Sequence, residues 1–369
     1  LSKRTAKMRL VSIYNCRSGM ILGKAVYHEN GKMLISNGME LTDRFINRLN
    51  EQGVTHLYIL DPLTDDIVID ETIPFELRTR TIQMIQTLFK NIHEVKGKRK
   101  LSDLIRISDF QKSIQNIISL LQSNKRVVDL LTHIHVKDNY LFSHSFNVMI
   151  YTSALAVEKG LPSEKIYEIA VGCLLHDIGK LLLPEEILHK PGRLTNEEFA
   201  QIKEHTNIGF ELLRKEWDIP LLAAHCAFQH HEKWDGTGYP RGLKGEEIHP
   251  YARIMAVGDV FDALTTHRVY RRAMLPHEAM ELIFSETNLH FEQGIVELFR
   301  KKIAIYPIGV TVKLSTGETG VVVAYNQHCI DRPIIRIFKG ESGEDLKSLK
   351  EIDLSKELSV MIVECDAIL

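Results

Sequence analysis

The chain has no apolar run of the ~18 residues that a membrane-spanning helix needs. Its basic start, LSKRTAKMRLVSIYN, has no apolar core of signal-peptide length. Cysteine is scarce: Cys16, Cys173, Cys226, Cys329 and Cys365 are odd in number, irregularly spaced and never in a C-x-x-C pair. A disulfide framework does not fit this pattern, and a reducing cytoplasm does. Cys173, one helical turn before a histidine, reads as a small buried apolar residue rather than a metal ligand. Charge of one sign is lacking as well. A net charge of -2 over 369 residues provides no bulk field toward polymeric nucleic acid or an anionic membrane. An anionic ligand must then be held by a local cluster. There is no internal repeat and no low-complexity segment.

What is there is enough chain for two or three domains. Residues 1–72 read as a small β-rich unit. Short runs at Leu10–Tyr14, Ala25–Tyr27, Met33–Ile35 and His56–Leu60 are punctuated by glycines, and Thr42–Asn50 reads as one helix capped by Thr42 or Asp43. Residues 73–137 read as a helical connector, because Ile85, Leu88, Phe89 and Ile92 recur at helical spacing, as do Ile114, Ile117, Ile118 and Leu121. Those apolar faces fit packing within the monomer or the pairing of two chains in a homodimer. The basic turn Lys96–Lys100 reads as a solvated loop. Residues 138–305 stay helical, broken by loops at Pro184–Leu194 and Trp234–Pro250. Residues 306–369 turn β-rich again, with runs at Val310–Leu314, Gly320–Tyr325 and Ile334–Phe338.

The chemistry lies between His144 and Asp259. His144, His176, Asp177, His205, His230, His231 and Asp259 are imidazoles and carboxylates, the side chains that hold first-row divalent metals. Seven are too many for one tetrahedral ion and suit two. Two adjacent metals sharing a water hydrolyse phosphate esters. Asp177, next to His176, can offer one oxygen to each ion.

The surrounding motifs are specific. HDIGK, then KPGRLTNEEF, then IKEH, then HHE-x-x-DG-x-GYP and GD-V-F-DAL follow one another in order and spacing. Over residues 140–305 the chain resembles the HD-GYP family of the HD phosphohydrolase superfamily. The resemblance implies a multidomain α+β protein with a central all-α bundle around a metal site, flanked here by small β-rich N-terminal and C-terminal units. It implies hydrolysis of cyclic di-GMP, a bacterial second messenger, to pGpG. It makes the same seven residues the metal ligands, with Asp177 and Lys180 catalytic. Lys180 would face the scissile phosphate, Tyr239 of the GYP loop would shape the cleft, and Asp262, Arg268 and Arg271 would contact guanine and phosphate. Glu232 and Asp235 read as tethers of that loop. Family precedent favours iron, with manganese an alternative.

Two departures stand out. Members that hold a third metal carry glutamate where this chain has Tyr140, and a phenol with a pKa of about 10 is a poor ligand, so two metals are expected. The family's Asp-Arg-Pro is His267-Arg268-Val269 here, which motivates one alternative, hydrolysis of another cyclic or linear nucleotide. A second alternative is a non-hydrolysing cyclic di-GMP sensor or scaffold, whose expected mark would be the loss of metal ligands, and no core ligand is missing from this sequence.

Overall fold

The computed structural model describes residues 8–27, 33–64 apart from 53 and 55, 66, 73–95, 107–123, 140–266 apart from 189, 191 and 217, 274, 276–326 and 329–365. At the N-terminal end, β1 (Met8–Ser12) pairs antiparallel with β4 (His56–Leu60), with Met8 opposite Leu60 and Ser12 opposite His56. A second ribbon joins β2 (Val26–Tyr27) to β3 (Met33–Ile35). Helix α1 (Asp43–Glu51) starts where Thr42 accepts a hydrogen bond from the Phe45 N–H, as its sequence predicts. Val11, Leu22, Leu41, Leu49 and Leu57 close a small core of their own.

Two helices lead into the centre, α2 (Phe75–Val95) and α3 (Ile107–Ser123). Every apolar residue singled out on them is at most 4% exposed. Their apolar faces are covered by α4 (Tyr140–Glu158) and α5 (Ser163–Leu175) of the same chain. The homodimer expected as one use of those faces therefore finds no support here. Helices α4 and α5 are apolar nearly all round, the pattern of helices buried at the middle of a bundle. The rest wrap them: α6 (Glu185–Leu188), α7 (Asn196–Lys203), α8 (His205–Leu213), α9 (Leu221–Gln229), α10 (Pro250–Thr265), α11 (Pro276–Ser285) and α12 (Gln293–Lys302). A capping box starts α7, where Thr195 and Glu198 exchange hydrogen bonds. Among the described residues, no helix is long and apolar enough to cross a membrane.

The C-terminal strands β5 (Thr311–Leu314), β6 (Thr319–Ala324), β7 (Ile334–Lys339), β8 (Asp345–Asp353) and β9 (Ile362–Cys365) form one antiparallel sheet in the order β8-β7-β6-β5-β9. Its buried residues, Val312, Val322 and Ile335 among them, belong to the same apolar cluster as the bundle. The two β-rich ends also meet. The Leu10 N–H donates to the Gly309 carbonyl at 2.9 Å, and Arg336 grips both oxygens of Asp66 at 2.5 and 2.7 Å. The α+β architecture expected from the sequence is thus present, with the C-terminal sheet packed on the helical centre and the N-terminal unit joined to that sheet.

One packing detail fixes the site. Gly179, in the short 3-10 turn Ile178–Leu182, lies so close to α8 that a Cβ there would come within 2.0 Å of the His205 carbonyl oxygen and 2.7 Å of the Gly209 nitrogen. Those obstacles are backbone, so they yield only if α8 moves. Gly179→Ala is expected to destabilise the fold by about 1–3 kcal/mol or more. Denaturant unfolding checks this, and a midpoint equal to wild type would contradict the packing.

Candidate metal centre

Helix ends deliver the ligating side chains. His176 caps the end of α5 and Asp177 follows it, His205 opens α8, and His230 caps the end of α9 with His231 next. His144 and Asp259 come from the interiors of α4 and α10. At three histidines the local fold decides the tautomer. The Nδ1–H of His176 donates to the Cys173 carbonyl (2.7 Å), that of His205 to Ile202 (2.6 Å) and that of His230 to Ala227 (2.9 Å). A carbonyl can only accept, so each neutral ring carries its proton on Nδ1 and aims the Nε2 lone pair inward.

The inward atoms fall into two sets about Asp177. Oδ1 of Asp177 lies 3.6 Å from His205 Nε2 and 3.7 Å from His230 Nε2. Its Oδ2 lies 3.4 Å from His176 Nε2 and 4.0 Å from His144 Nε2. Asp259 Oδ1 completes the second set, 3.1 Å from His144 Nε2 and 3.9 Å from His176 Nε2. The sets are Asp177, His205, His230, His231 and His144, His176, Asp259, and within each the ligating atoms lie within 4.8 Å of one another. All seven expected residues are together, and all but His231 are buried.

These side chains fit a cation. His176 Nε2 and Asp177 Oδ1 are buried without a hydrogen-bond partner among the described residues, an arrangement that is costly unless a ligand satisfies it. His205 Nε2 and His230 Nε2 face each other at 3.2 Å. With both Nδ1 protons committed to carbonyls, two lone pairs meet there. With no proton between them, that spacing suits two ligands of one ion bound at about 2.0–2.2 Å each.

Electrostatics prepare the ligands. Burial works to raise the Asp177 carboxyl, but Lys180 and His176 overcome it and hold the group well below the usual range. Burial opposes ionisation of Asp259 too, and the neighbouring His144, His176 and His231 outweigh it in the same direction. Burial, reinforced by Lys180, lowers His205 to about 3, and burial with His230 holds His231 well below its ordinary value. Ionised carboxylates and neutral imidazoles are the forms that bind metal at pH 7. His144 differs: burial disfavours its charge, yet Asp259 and Asp262 raise it to about 9.

Around this centre, Lys180 is partly exposed, with Nζ 2.6 Å from Asp177 Oδ2. The Tyr239 ring lies 4.7 Å from that of His231 and 6.3 Å from that of Phe199, and burial pushes its phenol up. The loop that carries it is tied down as the sequence suggests. Glu232 accepts from the Arg241 and Leu243 N–H groups, and Asp235 accepts from Thr237. Cys173 is fully buried and lies outside both ligand sets.

One sequence expectation needs correction. Asp262 does not face a cleft: it is 1% exposed, with Oδ2 accepting from His144 Nδ1 and Oδ1 from Asn147 Nδ2, both at 2.8 Å. It sits behind a ligand, one turn along α10 from Asp259. Asn147 went unnoticed in the sequence, although its place three residues after His144 puts it on the same face of α4. Arg268, Arg271, His267 and the basic turn Lys96–Lys100 lie outside the described residues, as does the side chain of Tyr140, the first residue of α4.

Residues 119–295 match an HD domain family, and residues 311–368 match a KOW domain associated with HD domain. A cyclic di-GMP phosphodiesterase of Pseudomonas aeruginosa is 37% identical over 208 residues, covering 56% of this chain and 50% of that protein. A 3′3′-cGAMP-specific phosphodiesterase of Vibrio cholerae is 35% identical, covering 51% of this chain and 36% of its own length. The cyclic di-GMP phosphodiesterase response regulator RpfG of Xanthomonas campestris pv. campestris is 32% identical over 256 residues, covering 64% of this chain and 67% of the regulator. The chain belongs to the HD-GYP family. It spans about half the length of the relatives it matches. The family's signature segments coincide with the geometry: HD supplies His176 and Asp177, and the GYP loop lays Tyr239 against His231.

Divalent metal should stabilise this HD-GYP chain. At a free concentration of 100 times the dissociation constant, one ion adds about 2.7 kcal/mol. Thermal melts of metal-stripped and reloaded protein should separate by several degrees, and Asp177→Ala should melt at one temperature with or without metal. Coincident wild-type melts would contradict the metal centre.

Proposed function

We propose that the chain is a metal-dependent phosphodiesterase that opens cyclic di-GMP to linear pGpG. The observation that carries this reading is the division of Asp177, one oxygen toward His205 and His230, the other toward His144 and His176. Such a carboxylate suits two adjacent ions, and His144, His176, Asp177, His205, His230, His231 and Asp259 would hold them. When bound, a pair of divalent ions supplies water activation near neutral pH and charge neutralisation at phosphorus. The balance of the reaction is simple. Water adds to one phosphorus, that P–O3′ bond breaks, and the ribose 3′-oxygen leaves with a proton. A second turnover on rebound pGpG would yield GMP.

The chain's own residues do the rest. Asp177 organises both ligand sets. Lys180, partly exposed beside Asp177, stands where an ammonium can offset charge building on a non-bridging oxygen. Tyr239 walls the His231 side of the cleft. We keep Arg268 and Arg271 as contacts to phosphate and guanine, since a planar guanidinium suits both. Two ions rather than three follow from Tyr140 standing where a glutamate ligand would be. Iron is our first choice and manganese our second, and the cytoplasm is the compartment this substrate implies.

A second reading keeps the site and changes the substrate. The Vibrio cholerae relative is named for 3′3′-cGAMP, and His267-Arg268-Val269 departs from the family pattern beside an expected guanine contact.

Anaerobically purified protein, with metal measured on the same sample, should release pGpG from cyclic di-GMP. Preference for 3′3′-cGAMP would favour the second reading, and binding without turnover by loaded protein would favour a sensor. Lys180→Ala should keep its metal and lose roughly 10²–10³-fold in kcat, the usual cost of removing one such donor. A wild-type rate there would remove Lys180 from the mechanism.

A further inference from the structure

Behind the second ligand set runs a line of buried polar side chains that the proposed reaction does not use. It begins on α2 with Arg78, which is 4% exposed. Its guanidinium carbon lies 5.2 Å from the centre of the Phe146 ring, and its Nη2 donates to Asn147 Oδ1 at 3.3 Å. Asn147 Nδ2 donates in turn to Asp262 Oδ1 at 2.8 Å, and Asp262 Oδ2 receives the His144 Nδ1–H at 2.8 Å. His144 Nε2 then points at Asp259 and Asp177. Asn147 is 1% exposed and His144 2%. The line runs from a helix outside the residues that match the HD domain to a metal ligand.

We propose that Arg78 is a positioning residue for His144, acting through Asn147 and Asp262. The proposal rests on the ligand assignment above. Its logic is directional. An amide offers a donor at one end and an acceptor at the other, and the two can exchange by a flip. Arg78 can only donate, so it holds the Asn147 oxygen toward α2 and turns the NH₂ toward Asp262. That hydrogen bond fixes the carboxylate, which holds the His144 proton on Nδ1 and leaves Nε2 for a cation. His144 needs this because, unlike His176, His205 and His230, it has a carboxylate rather than a backbone carbonyl behind it. A carboxylate behind a ligating histidine raises its basicity, and removing such a partner typically costs 10–100-fold in metal affinity.

The test is manganese(II) binding to the metal-stripped 369-residue chain, read as free manganese by electron paramagnetic resonance. Wild type should show two sites. Asp262→Asn should weaken one of them by about 10–100-fold and leave the other unchanged. Arg78→Met should weaken the same site by about 10-fold, Arg78→Lys should lie nearer wild type, and Arg78→Met should add nothing in the Asp262→Asn background. Asn147→Ala breaks the line while leaving both charges, and it carries the same prediction should Arg78→Met not yield folded protein. Wild-type binding by Arg78→Met or Asn147→Ala would overturn the relay, as would independent, multiplying losses in the double variant. A wild-type chain that takes up neither manganese(II) nor iron(II) would overturn the ligand assignment and the relay with it.

Discussion

Everything in the centre of this molecule turns on Asp177, a buried carboxylate that lies 3.4 to 4.0 Å from the Nε2 atoms of the four imidazoles it faces. A lone ionised carboxylate in an apolar bundle would take up a proton. Here Lys180 and His176 prevent that, and the separation of its two oxygens sorts the other ligands into two groups. The helices exist in this arrangement to bring those groups within reach. Both α5 and α9 end at ligands, α8 begins with one, and α4 and α10 each contribute one from their interiors. Because His176, His205 and His230 each sit at a helix terminus, each can tie its ring to the carbonyl of a residue three positions earlier. That hydrogen bond anchors each ring to its helix end and orients the ligating nitrogen.

Placing seven polar groups in a hydrophobic centre is tolerable only with a tight shell around them. Phe146, Leu174, Leu175, Ile178, Met255 and Phe261, on the segments that carry the ligands, are all fully buried. Such packing excludes water, so the charges within interact more strongly than at the surface. It also explains the stringency at Gly179, since backbone-to-backbone contact with α8 holds Lys180 and His205 at fixed separation. Stability and site geometry are one constraint here.

The sequence made much of this readable, and the exceptions share a cause. The apolar stripes of α2 and α3 and the Thr42 cap were legible because they depend on neighbours three or four residues away. The ligand set was legible because each ligand sits in a short motif of consecutive residues, even though the motifs are spread from His144 to Asp259. Strand β8 escaped notice because its sequence, DLKSLKEID, is charged, as befits the edge of a sheet. Strand β9, at the other edge, is only four residues long. Asp262 was placed toward substrate because it belongs to a recognisable motif, yet one turn of α10 carries it behind His144. Arg78 had no local signal at all. It meets Asn147 across 69 residues of sequence, and a contact of that range is created by the fold.

The charge balance links the ligand set to the kind of substrate we propose. Two carboxylates and five imidazoles line the two ligand sets. With the imidazoles neutral, these groups carry a charge of about -2, and two divalent ions would leave the centre about +2. Asp262 lies behind His144 and outside both ligand sets, and Lys180 adds one more positive charge beside Asp177. A cyclic dinucleotide brings two phosphodiester charges of the opposite sign. The chain as a whole carries a net charge of -2 and gives such a ligand no general attraction. Whatever draws an anion to this protein is local, and a metal-loaded centre beside Lys180 is a local source of the right sign and size.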